Sequence, residues 1–280
     1  MLICKTVAEV KTAVAGLRKA GTVGLVTTMG ALHAGHMALV AAAARDHASV
    51  VATIFVNPTQ FGDAKDLENY PRTEAADLAM LEAAGVAAVF MPTPDVMYPA
   101  GDETIVETTH LANILHGAVR PGHFRGVATV VTKLLNIVGP DAAYFGEKDY
   151  QQLAVIRRMV ADLFIPVAIH GVPTVREADG LAMSSRNVRL IGDERYDARV
   201  LNLSLTVAAA MVKEGATIEV IAETIRGVIA SKRGATLAGL DIVDAETFAP
   251  VTGVPTRKIG IMIAVQFMTV LLIDQKEITP

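Results

Sequence analysis

Two histidines, His33 and His36, stand at the start of a helical pattern in the segment TTMGALHAGH, residues 27–36. They are three residues apart and therefore share one face of the first helical turn. Unpaired backbone N–H groups and the helix dipole favour an anion at that turn. The imidazoles can donate hydrogen bonds to phosphate oxygens as negative charge develops, and Gly35 lets a nucleotide approach the backbone. The alternatives are simple helix capping and a zinc site, although H-x-G-H lacks the usual zinc spacing and no third ligand is evident.

A second candidate segment is FGEKDYQQ, residues 145–152, at another predicted turn from strand to helix. Lys148 offers a compact positive charge for a phosphate. Asp149 and Gln152 share a face of the following turn and are expected to contact ligands. Their spacing also resembles a helix capping box, and capping is compatible with ligand contact.

A third segment, MSSRN at residues 183–187, places two hydroxyls next to a guanidinium. Ser184, Ser185 and Arg186 can form a clamp for a leaving pyrophosphate. Runs of this kind are also common in solvated loops. Alone, the segment is therefore weak evidence for a pyrophosphate-binding role.

Neutral polar side chains follow the next predicted strand in FVNPTQFG, residues 55–62. Asn57 and Gln60 can hold a hydroxy acid without carrying charge, although Asn-Pro also starts ordinary turns. Asp77, on a helical segment, is a candidate for binding Mg²⁺ through oxygen and water, although a solvated helix face is the commoner fate of one aspartate. The turn 120–125 (RPGHFR) is either a lid near the site or plain surface.

Three common motifs are missing from the sequence. It contains no G-x-x-x-x-G-K-[ST] phosphate loop, no G-x-G-x-x-G fingerprint and no G-x-S-x-G nucleophile elbow. A nucleotide is therefore not expected to bind as it does in P-loop kinases or dehydrogenases.

The elements that must position these residues alternate between short apolar runs and Ala/Leu-rich helical patterns. This alternation predicts an α/β fold, a Rossmann-like doubly wound parallel sheet, with ligands at the carboxyl ends of the strands. The predicted strands are Val23–Thr28, Val50–Val56, Ala87–Met91, Ala142–Phe145 and Val167–Val172, and the predicted helices are Met37–Asp46, Thr73–Ala84, Gly126–Val138 and Tyr150–Asp162.

The character of the sequence changes near residue 174. We expect a nucleotide- and acid-binding domain over 1–174 and a smaller C-terminal α+β lid domain over 175–280. The second domain should contain a polar loop, Ala-rich helices up to about Arg233, and apolar runs at Leu240–Val243 and Ile261–Ile273. The last run is expected to be a buried strand, since it is shorter than the roughly 20 residues of a membrane span.

Composition narrows the classes of function. The 280 residues are 52% hydrophobic and 19% charged, with a net charge of -4. This excludes a disordered chain and makes nucleic acid an unexpected partner. The single cysteine, Cys4, fits a reducing compartment, and Lys5 interrupts the N-terminus before a signal-peptide core can form. We expect a cytoplasmic protein with no membrane segment.

Five motifs occur in an order and spacing that resemble the pantothenate synthetase family. They are TMGALHxGH, FVNPTQF, GxxRPGHFxGVATVV, YFGEKDxQQL and DGLAMSSRN, and they cover roughly residues 22–190. The family is in turn similar to the nucleotidylyltransferases and class I aminoacyl-tRNA synthetases. The resemblance implies condensation of (R)-pantoate with β-alanine, with ATP cleaved to AMP and pyrophosphate through a pantoyl adenylate. It also implies a homodimer.

The resemblance further implies a role for each matched residue. His33, His36 and Lys148 contact phosphates, and Ser184, Ser185 and Arg186 stabilise the departing pyrophosphate. Gln60 and Gln152 hold pantoate with Asn57 and Met29 nearby, and Asp77 is a Mg²⁺ partner. The implied nucleotide pocket consists of Met29, Gly35, Phe145, Gly146, Lys148, Asp149, Val175, Met183 and the Ser184–Arg186 clamp.

This sequence departs from the family pattern at three positions. Thr27 stands where proline is usual, Ala34 where an acidic residue is frequent, and the arginine usual before Leu272-Ile273-Asp274 is missing. The sequence is compatible with two rival functions. One is a nucleotidylyltransferase that stops at adenylyl transfer without forming an amide, and the other is a nucleotide sensor without chemistry.

Overall fold

A computed structural model describes residues 1–268 and 270–280. It divides the chain into two compact units. The first consists of Met1–Glu147 and Gln151–Pro173, and the second of Lys148–Tyr150 and Thr174–Pro280.

The first unit contains a six-stranded sheet in which every strand pair is parallel. The strands are β1 (Leu2–Cys4), β2 (Val23–Thr28), β3 (Ser49–Ile54), β4 (Ala88–Phe90), β5 (Ala142–Gly146) and β6 (Ala168–Val172). Their order in the sheet is β1-β4-β3-β2-β5-β6. The chain runs from β2 towards one edge and then returns to β5 on the other side of β2, so the strand order reverses between β2 and β5. Ligands bind at such a reversal, beyond the carboxyl ends of the strands.

Helices cover both faces of this sheet. They are α1 (Val7–Leu17), α2 (Ala34–Asp46), α3 (Ala64–Glu68), α4 (Glu74–Ala83), α5 (Pro94–Met97), α6 (His116–Val119), α7 (His123–Val138) and α8 (Tyr150–Asp162). Successive side chains of a strand point to opposite faces. In β2, Leu25 therefore joins a cluster with Leu134 of α7 and Ile156 of α8, whereas Val26 joins a cluster with Leu39 of α2 and Leu81 of α4. The predicted α/β doubly wound class is confirmed.

The predicted strands and helices of this unit are all present, and β2 and α8 have the predicted limits. The other limits agree or differ by no more than three residues. Helices α1, α3, α5 and α6 and strand β1 were not predicted. Strand β1 has three residues at the edge of the sheet and is too short for an alternation pattern.

The second unit combines helices with an antiparallel sheet. Its elements are α9 (Asp193–Asp197), α10 (Val200–Lys213), α11 (Ile218–Ala230), β7 (Ala235–Asp244), β8 (Ile259–Phe267) and β9 (Val270–Ile278). The order of the strands in the sheet is β7-β8-β9. The core packs Leu201 and Ile221 of the helices together with Ile261 of the sheet.

The apolar run Ile261–Ile273 was predicted to be one buried strand, and this prediction was wrong. The run contains the end of β8 and the start of β9, which pair antiparallel from Phe267 and Val270 onwards. Both strands face the same core, so their apolar residues continue across the reversal and mask it in the sequence. Thr269, inside the predicted run, lies outside the described residues. Within the described part of the chain, the helices are too short or too polar to cross a membrane.

Candidate active site

The chain leaves β2 in a tight turn that precedes the histidine pair. Gly30 donates its N–H to the Thr28 hydroxyl at 3.2 Å. Gly30 and Ala31 both have positive φ, 83° and 50°, and such a conformation costs energy for the alanine, whose side chain disfavours it. The turn therefore needs support from elsewhere in the fold.

Asp77 of α4 supplies that support. Its side chain is only 2% exposed. Its carboxylate accepts the N–H of Ala31 at 2.9 Å, the N–H of Leu32 at 2.8 Å and the hydroxyl of Thr73 at 3.0 Å. Two of these donors belong to the backbone just before His33, so Asp77 positions the histidine pair.

These contacts bear on the prediction that Asp77 is a Mg²⁺ partner. Mg²⁺ requires octahedral oxygen ligands and usually keeps several waters, whereas this buried carboxylate is already held by three protein donors. Among residues 1–268 and 270–280, no group of three His, Cys, Asp or Glu side chains is arranged to hold a metal ion. The contacts give Asp77 a structural role at the turn, and its binding of Mg²⁺ stays a prediction.

The two histidines cap α2 through their Nδ1 atoms. His33 is the N-cap, and its Nδ1 accepts the N–H of Gly35 at 3.1 Å. The Nδ1 of His36 accepts the N–H of His33 at 3.3 Å. The ring centroids lie 4.1 Å apart. A backbone N–H can only donate, so each neutral imidazole must carry its proton on Nε2. Capping thus fixes both rings as Nε2–H donors at the start of a helix, where an anion is favoured.

Gln60 is oriented by Asn57. The Nδ2 of Asn57 donates to Oε1 of Gln60 at 3.0 Å, and this directs the Gln60 Nε2 towards the sulfur of Met29 at 3.4 Å. Asn57 is 1% exposed, and its Oδ1 accepts the hydroxyls of Tyr98 and Thr59 at 2.7 and 3.0 Å. The predicted contact between Asn57 and substrate is therefore corrected, because its amide is engaged inside the protein and acts through Gln60.

The next candidates of the first unit lie in β5 and in α8, and β5 is the neighbour of β2 in the sheet. Gly146 ends β5, and Gln152 lies half-buried in the first turn of α8. The Phe145 side chain is buried in the apolar core, so it can offer only its backbone to a nucleotide. Gln151, the neighbour of Gln152, was not predicted to be important and has a structural role. Its Nε2 donates to the carbonyls of Leu111 and Ile114, and its Oε1 accepts the N–H of His116.

Lys148 and Asp149 belong to the second unit. Burial lowers the pKa of Lys148, while the negative charges of Asp149 and Asp274 oppose that shift and the positive charge of Arg186 adds to it. The charge of Arg186, which is also predicted to bind phosphate, thus acts on Lys148. Asp149 is exposed.

The segment that leads to the serines is held by a buried ion pair. Arg176 binds Asp274 of β9 through two contacts of 2.7 and 3.0 Å, and the Asp274 side chain is fully buried. Arg176 also pairs with Ala182 in an antiparallel bridge. Beyond it, the N–H of Met183 donates to the carbonyl of Val175 at 2.9 Å. The position of Val175 and Met183 therefore depends on this folded segment.

The serine-arginine run continues from that segment. Ser184 accepts the N–H of Arg186 on its hydroxyl at 3.2 Å, and Ser184, Ser185 and Arg186 are all half-buried. Sequence reasoning did not identify Arg176 or Asp274 as supports of this run. The only sequence feature near this ion pair was the departure from the family pattern just before Asp274. That departure pointed to a missing arginine and not to the aspartate itself.

A doubly wound parallel sheet, with imidazole and amide donors beyond its point of reversal, defines an α/β enzyme that binds anionic small molecules. The family model described as pantoate-beta-alanine ligase matches residues 2–277. The pantothenate synthetase of Rhizobium meliloti (strain 1021) is 49% identical, with 100% of this chain and 97% of that protein covered. The chain belongs to the pantoate-beta-alanine ligase family.

Solved structures agree with this membership. Pantothenate synthetase from Thermus thermophilus has a TM-score of 0.93 and 44% identity, with 100% of both chains covered. Pantoate-beta-alanine ligase from Francisella tularensis, solved in complex with beta-gamma ATP and beta-alanine, has a TM-score of 0.77 and 33% identity, with 99% of this chain and 97% of that chain covered. The predicted ligase class is confirmed, and the relatives do not favour an enzyme that stops at adenylyl transfer.

Proposed function

We propose that this chain condenses (R)-pantoate with β-alanine to give pantothenate, with ATP cleaved to AMP and pyrophosphate. The observation that carries the proposal is the reciprocal capping by His33 and His36, which presents two Nε2–H donors at the start of α2. Donors fixed before the reaction stabilise charge that develops on phosphate oxygens in the transition state.

The proposed reaction has two steps. A carboxylate oxygen of pantoate attacks the α-phosphorus of ATP, and the bond to the β-phosphate breaks to release pyrophosphate. The amine of β-alanine then attacks the acyl carbon of the pantoyl adenylate, its carbon–oxygen bond to AMP breaks, and the amine loses a proton. Both substrates of the first step are anions, so cationic and hydrogen-bond-donating groups must offset their repulsion. Holding the two substrates in line also removes much of the entropic barrier.

In the first unit we assign His33 and His36 to phosphate oxygens and the amides of Gln60 and Gln152 to pantoate. The Gln60 amide is already oriented by Asn57, so little side-chain entropy is lost when it binds a hydroxyl or carboxylate. Gly35, Gly146 and the backbone of Phe145 are assigned to adenosine, and Met29 to both substrates.

In the second unit we assign Lys148 to a phosphate and Ser184, Ser185 and Arg186 to the departing pyrophosphate. A guanidinium and two hydroxyls suit an oxyanion of high charge. Asp149, Val175 and Met183 are assigned to adenosine. These roles rest on the family resemblance and on the chemistry of the side chains.

The remaining proposals concern the surroundings of the reaction. We assign Mg²⁺ to the triphosphate of ATP, since Mg²⁺ is commonly bound by substrate phosphates. The homodimer is proposed from the family resemblance, and the cytoplasmic location from the free, buried Cys4, which suits a reducing compartment. Pantoate and β-alanine are the proposed small-molecule partners.

The test is a pyrophosphate-release assay with Mg-ATP and pantoate, with and without β-alanine, alongside detection of pantothenate. We expect sustained release of pyrophosphate only with both acids present, and one pantothenate for each AMP. Pyrophosphate release that continues without pantoate would overturn the substrate assignment. Multiple turnovers without β-alanine would instead indicate an enzyme that stops at adenylyl transfer. In either case Thr27, at the position where proline is usual, is the first residue to examine.

A further inference from the structure

The turn at residues 120–125 contacts the backbone of Gln60. His123, the first residue of α7, places its Nδ1 2.8 Å from the carbonyl oxygen of Gln60. On the other side of the ring, Nη1 of Arg120 lies 3.3 Å from Nε2 of His123. The turn is therefore connected to the residue assigned to pantoate.

The chemistry of the partners fixes the direction of both hydrogen bonds. A carbonyl oxygen can only accept, so Nδ1 of His123 must carry the proton. A guanidinium can only donate, so Nε2 of His123 must be the acceptor. The ring is then neutral, with a proton position opposite to that of His33 and His36. The chain of donors runs from Arg120 through His123 to Gln60.

The start of α7 is pressed closely against the turn Pro58–Gln60. A side chain at Gly126 would come within 2.6 Å of the Thr59 carbonyl oxygen and 2.9 Å of the Gln60 nitrogen. The carbonyl of Gly126 also accepts the Nδ2 of Asn57 at 3.3 Å. Gln60 is thus fixed twice, at its side chain by Asn57 and at its carbonyl by His123.

We propose that Arg120 and His123 act as positioning residues that fix Gln60 and so set the affinity for the short hydroxy acid. The inference rests on the proposed function, in which Gln60 holds that acid. His123 acts from outside the substrate contacts, through the backbone of Gln60. Removing the Nδ1 donor should let the turn 58–60 relax and should weaken binding of the acid more than binding of ATP.

The test compares two replacements of His123 that differ in where they place an amide nitrogen. In His123→Asn the amide nitrogen falls near the position of Nδ1 and can still donate to Gln60, whereas in His123→Gln it falls near Nε2 and cannot. We expect His123→Gln to raise the KM for pantoate by about 10-fold, the effect of losing one hydrogen bond. His123→Asn should stay within about 3-fold, and the KM for ATP should change little in either.

Arg120→Met and Arg125→Met form a matched pair that removes one positive charge from the same turn. Arg120 is the member of the pair that lies beside Nε2 of His123. Arg120→Met should therefore raise the KM for pantoate by about 3-fold, and Arg125→Met should leave it unchanged. Equal KM values for His123→Asn and His123→Gln, or a parallel rise in the KM for ATP, would overturn the proposal.

Two controls separate the possible failures. Thermal unfolding of each variant shows whether His123→Gln is folded, and a folded His123→Gln enzyme with the wild-type KM for pantoate also overturns the proposal. If wild-type enzyme itself shows no pantoate-dependent pyrophosphate release, the proposed function fails instead. The two failures therefore give different results in the same assay.

Discussion

The two units hold their candidate residues by different physical means. In the first unit the candidates are neutral imidazoles and amides, fixed by hydrogen bonds to backbone N–H groups and to other amides. In the second unit they are cations and hydroxyls, and their segment is held by the buried Arg176–Asp274 ion pair. Neutral donors act over one hydrogen-bond length, whereas cations act over several ångströms.

This difference predicts two kinds of sensitivity. Substitutions in the first unit should disturb geometry and leave the dependence on pH largely unchanged. Substitutions in the second unit should alter electrostatics, and so shift pH profiles and the stability of the segment that contains the serines.

The largest effect is expected on breaking the buried ion pair. Asp274→Ala leaves Arg176 without its carboxylate and should lower the free energy of unfolding by about 3 kcal/mol. Asp162→Ala is the matched control, since it removes the partner of Arg158 from an exposed pair and should cost less than about 0.5 kcal/mol. Urea unfolding of both variants measures the difference. Equal losses would contradict a structural role for the buried pair.

Lys148 should show the electrostatic character of the second unit. Lys148→Met should lower turnover by about 100-fold, through loss of a charge on the phosphate. Burial lowers the pKa of Lys148, so its positive charge is lost as pH rises at a lower pH than for an exposed lysine. The alkaline limb of the kcat profile should therefore move to higher pH in Lys148→Arg, because a guanidinium stays charged.

Asp274→Asn gives the opposite shift. The carboxylate of Asp274 raises the pKa of Lys148, so removing its charge should move the alkaline limb to lower pH than in wild type. The pH profiles of wild type, Lys148→Arg and Asp274→Asn provide the check. An alkaline limb at the same pH in all three enzymes would show that Lys148 does not carry the charge on which turnover depends.

A smaller effect is expected at Asp77. In Asp77→Asn the amide NH₂ faces one of the backbone N–H groups of the turn and leaves a buried donor unpaired, at a cost of about 1–3 kcal/mol. Turnover should fall because His33 and His36 lose their support. Thr73→Val, which removes one of the three bonds to Asp77, should cost about 1 kcal/mol. A fall in apparent Mg²⁺ affinity in Asp77→Asn but not in Thr73→Val would support Asp77 as a metal ligand.

The sequence predicted what depends on neighbouring residues. The pairing of His33 with His36 is set within four residues, and the class of fold follows from the alternation of strands and helices. The role of Asp77 could not be read in this way, because its backbone donors Ala31 and Leu32 lie 46 and 45 residues away. Arg176 and Asp274 are 98 residues apart, and only the folded chain brings them together.

The proposed function depends most on one structural feature, the capping that fixes His33 and His36 as Nε2–H donors. The direct test is single-turnover release of pyrophosphate from ATP and pantoate by wild type, His36→Asn and His36→Gln. His36 is the third residue of α2, and an Asn oxygen there can still accept the N–H of His33 in place of Nδ1. Asn has no donor at the position of Nε2. We predict that His36→Asn keeps the wild-type melting temperature but releases pyrophosphate at least about 100-fold more slowly. We predict that His36→Gln recovers part of the rate. A folded His36→Asn enzyme with a near wild-type rate would contradict the account.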